Sequence, residues 1–181
     1  MRQNSYQEDR KDSDEFFYKI GYDEIKEKIK ESKLYGPEII IKKSSEYDDN
    51  YKVNDAWING NPSQIRIQFI DNKKECDYYA TIRYRRSYTQ TEITKLIKMD
   101  GKNEPIPNLI WMLVDRENKL LLKLVIVDLE SIIRKRKNKY KLNNNYRLTD
   151  DYEEKKNSDG QTSFLILKNT EDYLYSYSRK D

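Results

Sequence analysis

Two apolar runs lie close together past the middle of the chain, LIWMLVD (Leu109–Asp115) and LLLKLVIVD (Leu120–Asp128), and they limit what the sequence can become. Each is far shorter than the about 20 apolar residues that cross a bilayer. Each is also too continuously apolar to keep one face in water. The stretch DREN (Asp115–Asn118) between them reads as a turn. The two runs are therefore expected to pair as central strands of a sheet. The rest of the core must be modest, because apolar residues make up 36% and charged residues 37% of the 181 positions. That length suits one domain with a tail.

Residues 1–13 show no periodicity and are expected to form a disordered tail, leaving 14–181 as a single domain. Phe16, Phe17, Ile20, Ile25 and Ile29 recur at helical spacing, with Asp14 as a candidate cap, Gly21 as a weak point and Gly36-Pro37 as the stop. Short strands are expected at Glu38–Lys42, Tyr51–Ile58, Gln64–Ile70 and 78–86, forming a meander, with NGNPS as hairpin-loop chemistry between the second and third. TQTEITKLIKMDG reads as a helix capped by Thr89 or Thr91, with Glu92 in the first turn where the helix dipole favours an acid. A further helix should start after Asp128. Residues 138–161 read as a long polar loop, Thr162–Lys168 as a last strand, and NTEDYLYSYS as a short closing helix or tail. The result is an α+β fold, one mixed central sheet with flanking helices.

The chain contains no histidine and one cysteine, Cys76. Histidine-based triads, histidine metal sites, disulfide frameworks and cysteine zinc sites are thereby excluded. Any catalysis must use carboxylates, Lys, Arg, Tyr, Ser or Thr, with an oxygen-bound cation such as Mg²⁺ as the natural helper. Residues 1–15 are polar and no run can cross a membrane, so a soluble, cytoplasmic protein is expected.

The net charge of +3 decides little, but its distribution is uneven, with basic blocks at Arg83–Arg86 and Arg134–Lys141. Asp55 interrupts an apolar strand just before Ala56-Trp57-Ile58. The next strand offers Arg66 and Gln68 on one face, and the following one Thr81, Arg83 and Arg85. If these strands pair in order, a carboxylate lies next to a cluster of arginines. Guanidinium groups hold phosphate oxygens through parallel hydrogen bonds, so that face suits nucleic acid. Cross-strand ion pairing explains the same residues equally simply. Tyr78, Tyr79, Tyr84 and Tyr88 lie among the arginines and could stack bases, although tyrosine is abundant along the whole chain. The block Arg134–Lys141 is either the solvated end of a helix or a phosphate-binding arm.

A helix, three strands in a meander, a helix and another strand resembles the αβββαβ order of the PD-(D/E)xK nuclease-like superfamily. In texture, Asp55, IRIQF, TIRYRRS and TEITKL are also similar to small phage and mobile-element proteins. The resemblance spans residues 14–128. It implies a catalytic, metal-binding Asp55, with Glu46 or Glu24 completing a Mg²⁺ site for phosphodiester cleavage. It also implies a (Glu/Gln)-x-Lys pair on the third strand, which here reads Arg66-x-Gln68. Two functions follow as expectations. One is a nucleic-acid-binding protein of nuclease-like fold, either a degenerate phosphodiesterase or purely a binder through Arg66, Gln68, Arg83 and Arg85. The other is a non-catalytic phage or mobile-element protein that binds a host protein, for which Tyr and Arg are suitable anchors.

Overall fold

The computed structural model describes residues 10–45, 53–71, 78–86, 91–157 and 160–179. The two apolar runs form strands β5 (Asn108–Asp115) and β6 (Leu120–Val127), paired antiparallel. Their turn is held by Asp115, whose carboxylate accepts from the backbone N–H of Glu117 and Asn118.

The main sheet has six strands in the order β1-β2-β3-β5-β6-β9, where β1 is Ile41–Lys43, β2 Ala56–Ile58, β3 Asn61–Ile70 and β9 Tyr173–Ser178. Strand β3 runs parallel to β5, and every other neighbouring pair is antiparallel. Asn59 and Gly60 join β2 to β3, both with positive φ, the conformation of a two-residue type I′ hairpin turn. The Asn59 side chain also fastens the incoming segment, donating to the carbonyls of Tyr35 and Glu38 and accepting from the Ile40 N–H.

The face of the main sheet carrying Ile110, Met112, Val114, Leu124 and Ile126 packs on the N-terminal helical segment. That segment is helical at residues 10–15, widens into a π-turn at Phe16–Ile20, breaks at Gly21 and resumes as α1 (Tyr22–Glu31). Residues 10–13, expected in a disordered tail, are thus part of a helix. The opposite face, with Leu109, Trp111, Leu113, Val125 and Val127, is covered by α2 (Glu92–Gly101), α3 (Leu129–Leu142) and a second sheet. Asp128 caps α3 by accepting from the Ser131 N–H at 2.9 Å.

The second sheet has the order β4-β8-β7, all antiparallel, from β4 (Ala80–Arg86), β8 (Thr162–Leu167) and β7 (Glu153–Lys156). Here the meander expectation is corrected: β1, β2 and β3 pair in order, but β4 leaves the main sheet. The polar stretch 138–161 is corrected too, since it contains the end of α3, a 3-10 turn at Leu148–Asp150 and β7. So is the chain end, where β9 replaces the expected helix or tail. Its tyrosines alternate with exposed residues, Tyr175 and Tyr177 packing on the sheet's first face and Tyr173, beyond a register shift, on the opposite core.

Candidate functional site

Asp55 is held where β1, β2 and β3 meet. Its N–H donates to the Ser63 carbonyl at 3.0 Å, and its carbonyl accepts from Ser44 N–H and the Tyr18 hydroxyl at 3.2 Å each. Its carboxylate accepts from the Ile65 N–H at 2.7 Å. Because Ala56 faces Ser63 across the hairpin, Asp55 lies beside Gln64. The residues of β3 alternate. Ile65, Ile67 and Phe69 pack toward the N-terminal helical segment, while Gln64, Arg66 and Gln68 face α2 and the small sheet.

Facing them is Glu92, in the first turn of α2. Thr91 caps this helix, accepting from the Thr94 N–H at 3.4 Å and donating its hydroxyl to the Tyr84 carbonyl at 2.9 Å, which ties the helix start to β4. The Glu92 carboxylate lies 3.2 Å from the Arg83 guanidinium of β4 and 3.9 Å from that of Arg66. Arg66 also stacks on the Phe164 ring of β8, 4.6 Å from its centroid. These three side chains are only 19% (Arg66), 25% (Arg83) and 14% (Glu92) exposed. Arg83 Nε, Glu92 Oε2 and Gln64 Oε1 are buried with no hydrogen-bond partner among the described residues. Unfilled polar atoms of this kind are costly, about 1–3 kcal/mol each, and each calls for a cause, an unseen water or ion among them.

Asp55, Gln64, Arg66, Arg83 and Glu92 line one cleft of about 370 Å³. Arg10, Lys43 and Lys95 add further positive charge, and Asp14 further negative charge, so the walls carry five basic and three acidic side chains. Lys43 bonds Asp14 at 2.5 Å and lies over the Tyr18 ring. Each acid in the cleft therefore already faces a cation or a backbone N–H: Asp14 meets Lys43, Glu92 meets two arginines, and Asp55 meets Ile65. Among the described residues no three acidic or cysteine side chains are grouped to hold a metal ion. The described acids of the cleft, each already engaged, do not by themselves make a Mg²⁺ site. Glu46 lies outside the described residues. Glu24, the other expected ligand, pairs with Arg179 and does not line the cleft.

The cleft thus unites Asp55, Arg66 and Arg83 of the expected residues and omits two others. Gln68 is half-buried farther along β3. Arg85 is turned away by a bulge between Arg83 and Arg85; it lies 4.0 Å from Glu154, over the Tyr84 ring. The described tyrosines among the arginines, Tyr78, Tyr79 and Tyr84, do not form a stacking platform with Arg66 and Arg83. Tyr79 lies near Lys123 and Lys168, neither Tyr78 nor Tyr84 lines the cleft, and Tyr88 is outside the described residues. Most cations of the block Arg134–Lys141 have acidic partners: Arg134 with Glu130, Lys135 with Asp172, Lys137 with Asp100 and Lys139 with Asp151.

Sequence reasoning missed Gln64, Lys95 and the clamping role of Glu92. Strand alternation marks Gln64 as facing the same way as Arg66, but only the hairpin register shows that it neighbours Asp55. Among the described residues no helix is long and apolar enough to cross a membrane. No protein-family profile, curated protein or solved structure matches this chain.

Proposed function

We propose that the protein binds nucleic acid by its phosphate backbone in the cleft between β3, β4 and α2, without cleaving it. The observation that carries this reading is the convergence of Arg66 and Arg83 on one partly buried carboxylate. Two guanidiniums share a single acid there, and Arg83 Nε still has a donor to offer. A phosphate oxygen supplies the second acceptor, and Lys95 of α2, Lys43 of β1 and Arg10 of the N-terminal helical segment add long-range attraction.

The nuclease-like resemblance gains support from the order of elements. A helix precedes three antiparallel strands, and β4 and α2 lie in the crossover to a strand parallel to the third. The triplet beside Asp55 is Gln64-Ile65-Arg66, so an amide and a guanidinium stand where the resemblance calls for an acid or amide and a lysine. Gln64 brings no negative charge to a cation, so Asp55 is the one carboxylate of that trio, which favours binding over hydrolysis.

Fluorescence anisotropy with labelled single- and double-stranded DNA and RNA, across a salt series with and without Mg²⁺, tests the proposal. Affinity should fall steeply between about 50 and 200 mM salt, need no Mg²⁺, and drop in Arg83→Ala. Mg²⁺-dependent cleavage lost in Asp55→Ala would restore the phosphodiesterase reading. Absence of binding at the lowest salt would overturn the nucleic-acid reading and direct the search to a host-protein partner.

A further inference from the structure

The bulge in β4 gives the strand two outlets. Arg83 enters the cleft, whereas Tyr84 and Arg85 line a separate cavity of about 290 Å³. Helix α2 divides in the same way, sending Glu92 and Lys95 to the cleft, and Ile93, Thr94 and Ile97 to the cavity. Arg136 of α3 and Arg147, just before the 3-10 turn, complete a set of three arginines around it.

No acidic side chain lines this cavity. Arg85 reaches Glu154 only at 4.0 Å, and neither Arg136 nor Arg147 has a carboxylate within ion-pair distance among the described residues. The Arg136 guanidinium instead lies 5.5 Å from the Tyr140 ring centroid. This contrasts with the rest of the basic block, whose cations mostly end on acids. Arg85 has Glu154, which leaves Arg136 and Arg147 as like charges on one cavity wall that repel unless an anion joins them. The remaining wall is largely apolar: the Tyr84 and Tyr146 rings, each with a cation (Arg85 and Lys139) over one face, and Ile93, Ile97 and Leu148. Tyr146 is fixed in place, buried, with its hydroxyl donating to Asp151 at 2.6 Å.

We infer that this cavity binds a small organic phosphate with a flat ring, of the size and chemistry of a nucleoside monophosphate. Arg136 and Arg147 fork onto the phosphate, as guanidiniums do with planar or tetrahedral oxyanions. Tyr84, Tyr146 and the isoleucines receive the ring. The volume is close to the lower end for small-molecule sites, which excludes a dinucleotide and suits a mononucleotide. The site does not depend on the cleft's function, because the two share elements but no lining side chain.

Isothermal titration of the full chain with AMP, adenosine and inorganic phosphate tests the inference. AMP should bind, with adenosine and phosphate each about tenfold weaker or more, because each supplies half of the contacts. Arg147→Ala, at an exposed position, should weaken AMP by about tenfold, and Arg147→Lys should lose part of that, since a lysine keeps the charge without the fork. No AMP binding at millimolar concentration, equal affinity for phosphate and AMP, or AMP affinity unchanged in both Arg147→Ala and Arg136→Ala would each overturn the assignment.

Discussion

Replacing Glu92 by Gln separates the two explanations of the arginines. If Arg66 and Arg83 serve only to pair with Glu92, the variant loses stability and gains nothing. If they face phosphate, the same change releases two guanidiniums into the cleft at nearly constant volume. The triad of two cations and one acid carries one net positive charge, and Glu92→Gln raises it to two. One more phosphate neutralised adds about 0.9 to the slope of log affinity against log salt for duplex DNA. A fourfold change in salt, from about 50 to 200 mM, then costs the variant about 3.5-fold more affinity than the parent. At the low-salt end the variant should bind about tenfold tighter, the worth of one charge-assisted hydrogen bond. The stability cost is real, because the two arginines are largely buried and lose their shared acid. Discounted for their partial exposure it is about 1–3 kcal/mol, or a fall in Tm of about 2–12 °C. Anisotropy titrations at several salt concentrations, with circular dichroism to confirm that both proteins are folded, measure both quantities. Affinity that is unchanged or reduced, with an unaltered salt slope, would refute the phosphate-facing cleft.

Other outcomes follow from the packing. Gly21→Ala should destabilise by about 1–3 kcal/mol in urea unfolding, because a Cβ there would come within 2.6 Å of the buried ring of Phe16, the residue whose carbonyl closes the π-turn. Asp172→Ala should cost about 3 kcal/mol, since this fully buried acid accepts from the Tyr152 hydroxyl at 2.8 Å and from Lys135 at 2.6 Å; thermal melts would show it. Burial, and then a hydrogen bond to Glu31, push the Tyr175 hydroxyl up to about 12. Its folded value is raised above the ordinary tyrosine value, so its contribution is complete below about pH 10 and is lost as pH climbs from there toward about 12. Tyr175→Phe should flatten the decline of Tm over that window.

How much was legible depends on how local the cause is. The NG turn, the helix start after Asp128, the cap at Thr89 or Thr91 and the pairing of β5 with β6 each follow from a few adjacent residues, and all could be read before the structure. Strand β9 was equally local. Tyr173, Tyr175 and Tyr177 alternate with Leu174, Ser176 and Ser178, but a tyrosine-rich chain makes that period easy to dismiss. The cleft was half legible. Asp55, Arg66 and Arg83 stood out as charges in apolar strands, while Gln64 and Lys95 carried no such signal. Arg85 was misplaced because strict alternation puts it with Arg83, and a one-residue bulge removes that parity.

The sequence by itself determined that β5 and β6 are central, that the chemistry is free of histidine, and where most helices begin. Tertiary structure alone decided where β4 goes. Backbone hydrogen bonds accept any strand, so the place beside β3 falls to whichever strand gains most from burial on both faces. Strand β5 is apolar on both, whereas β4 has only Ala80 and Ile82 to bury, with Arg83 and Arg85 beside them. It pairs instead with β8, whose Leu165 and Leu167 complete the same core. That displacement brings Arg83 over β3 from a second sheet, across from Arg66, and makes a cleft out of what a continuous meander would have left as a flat face.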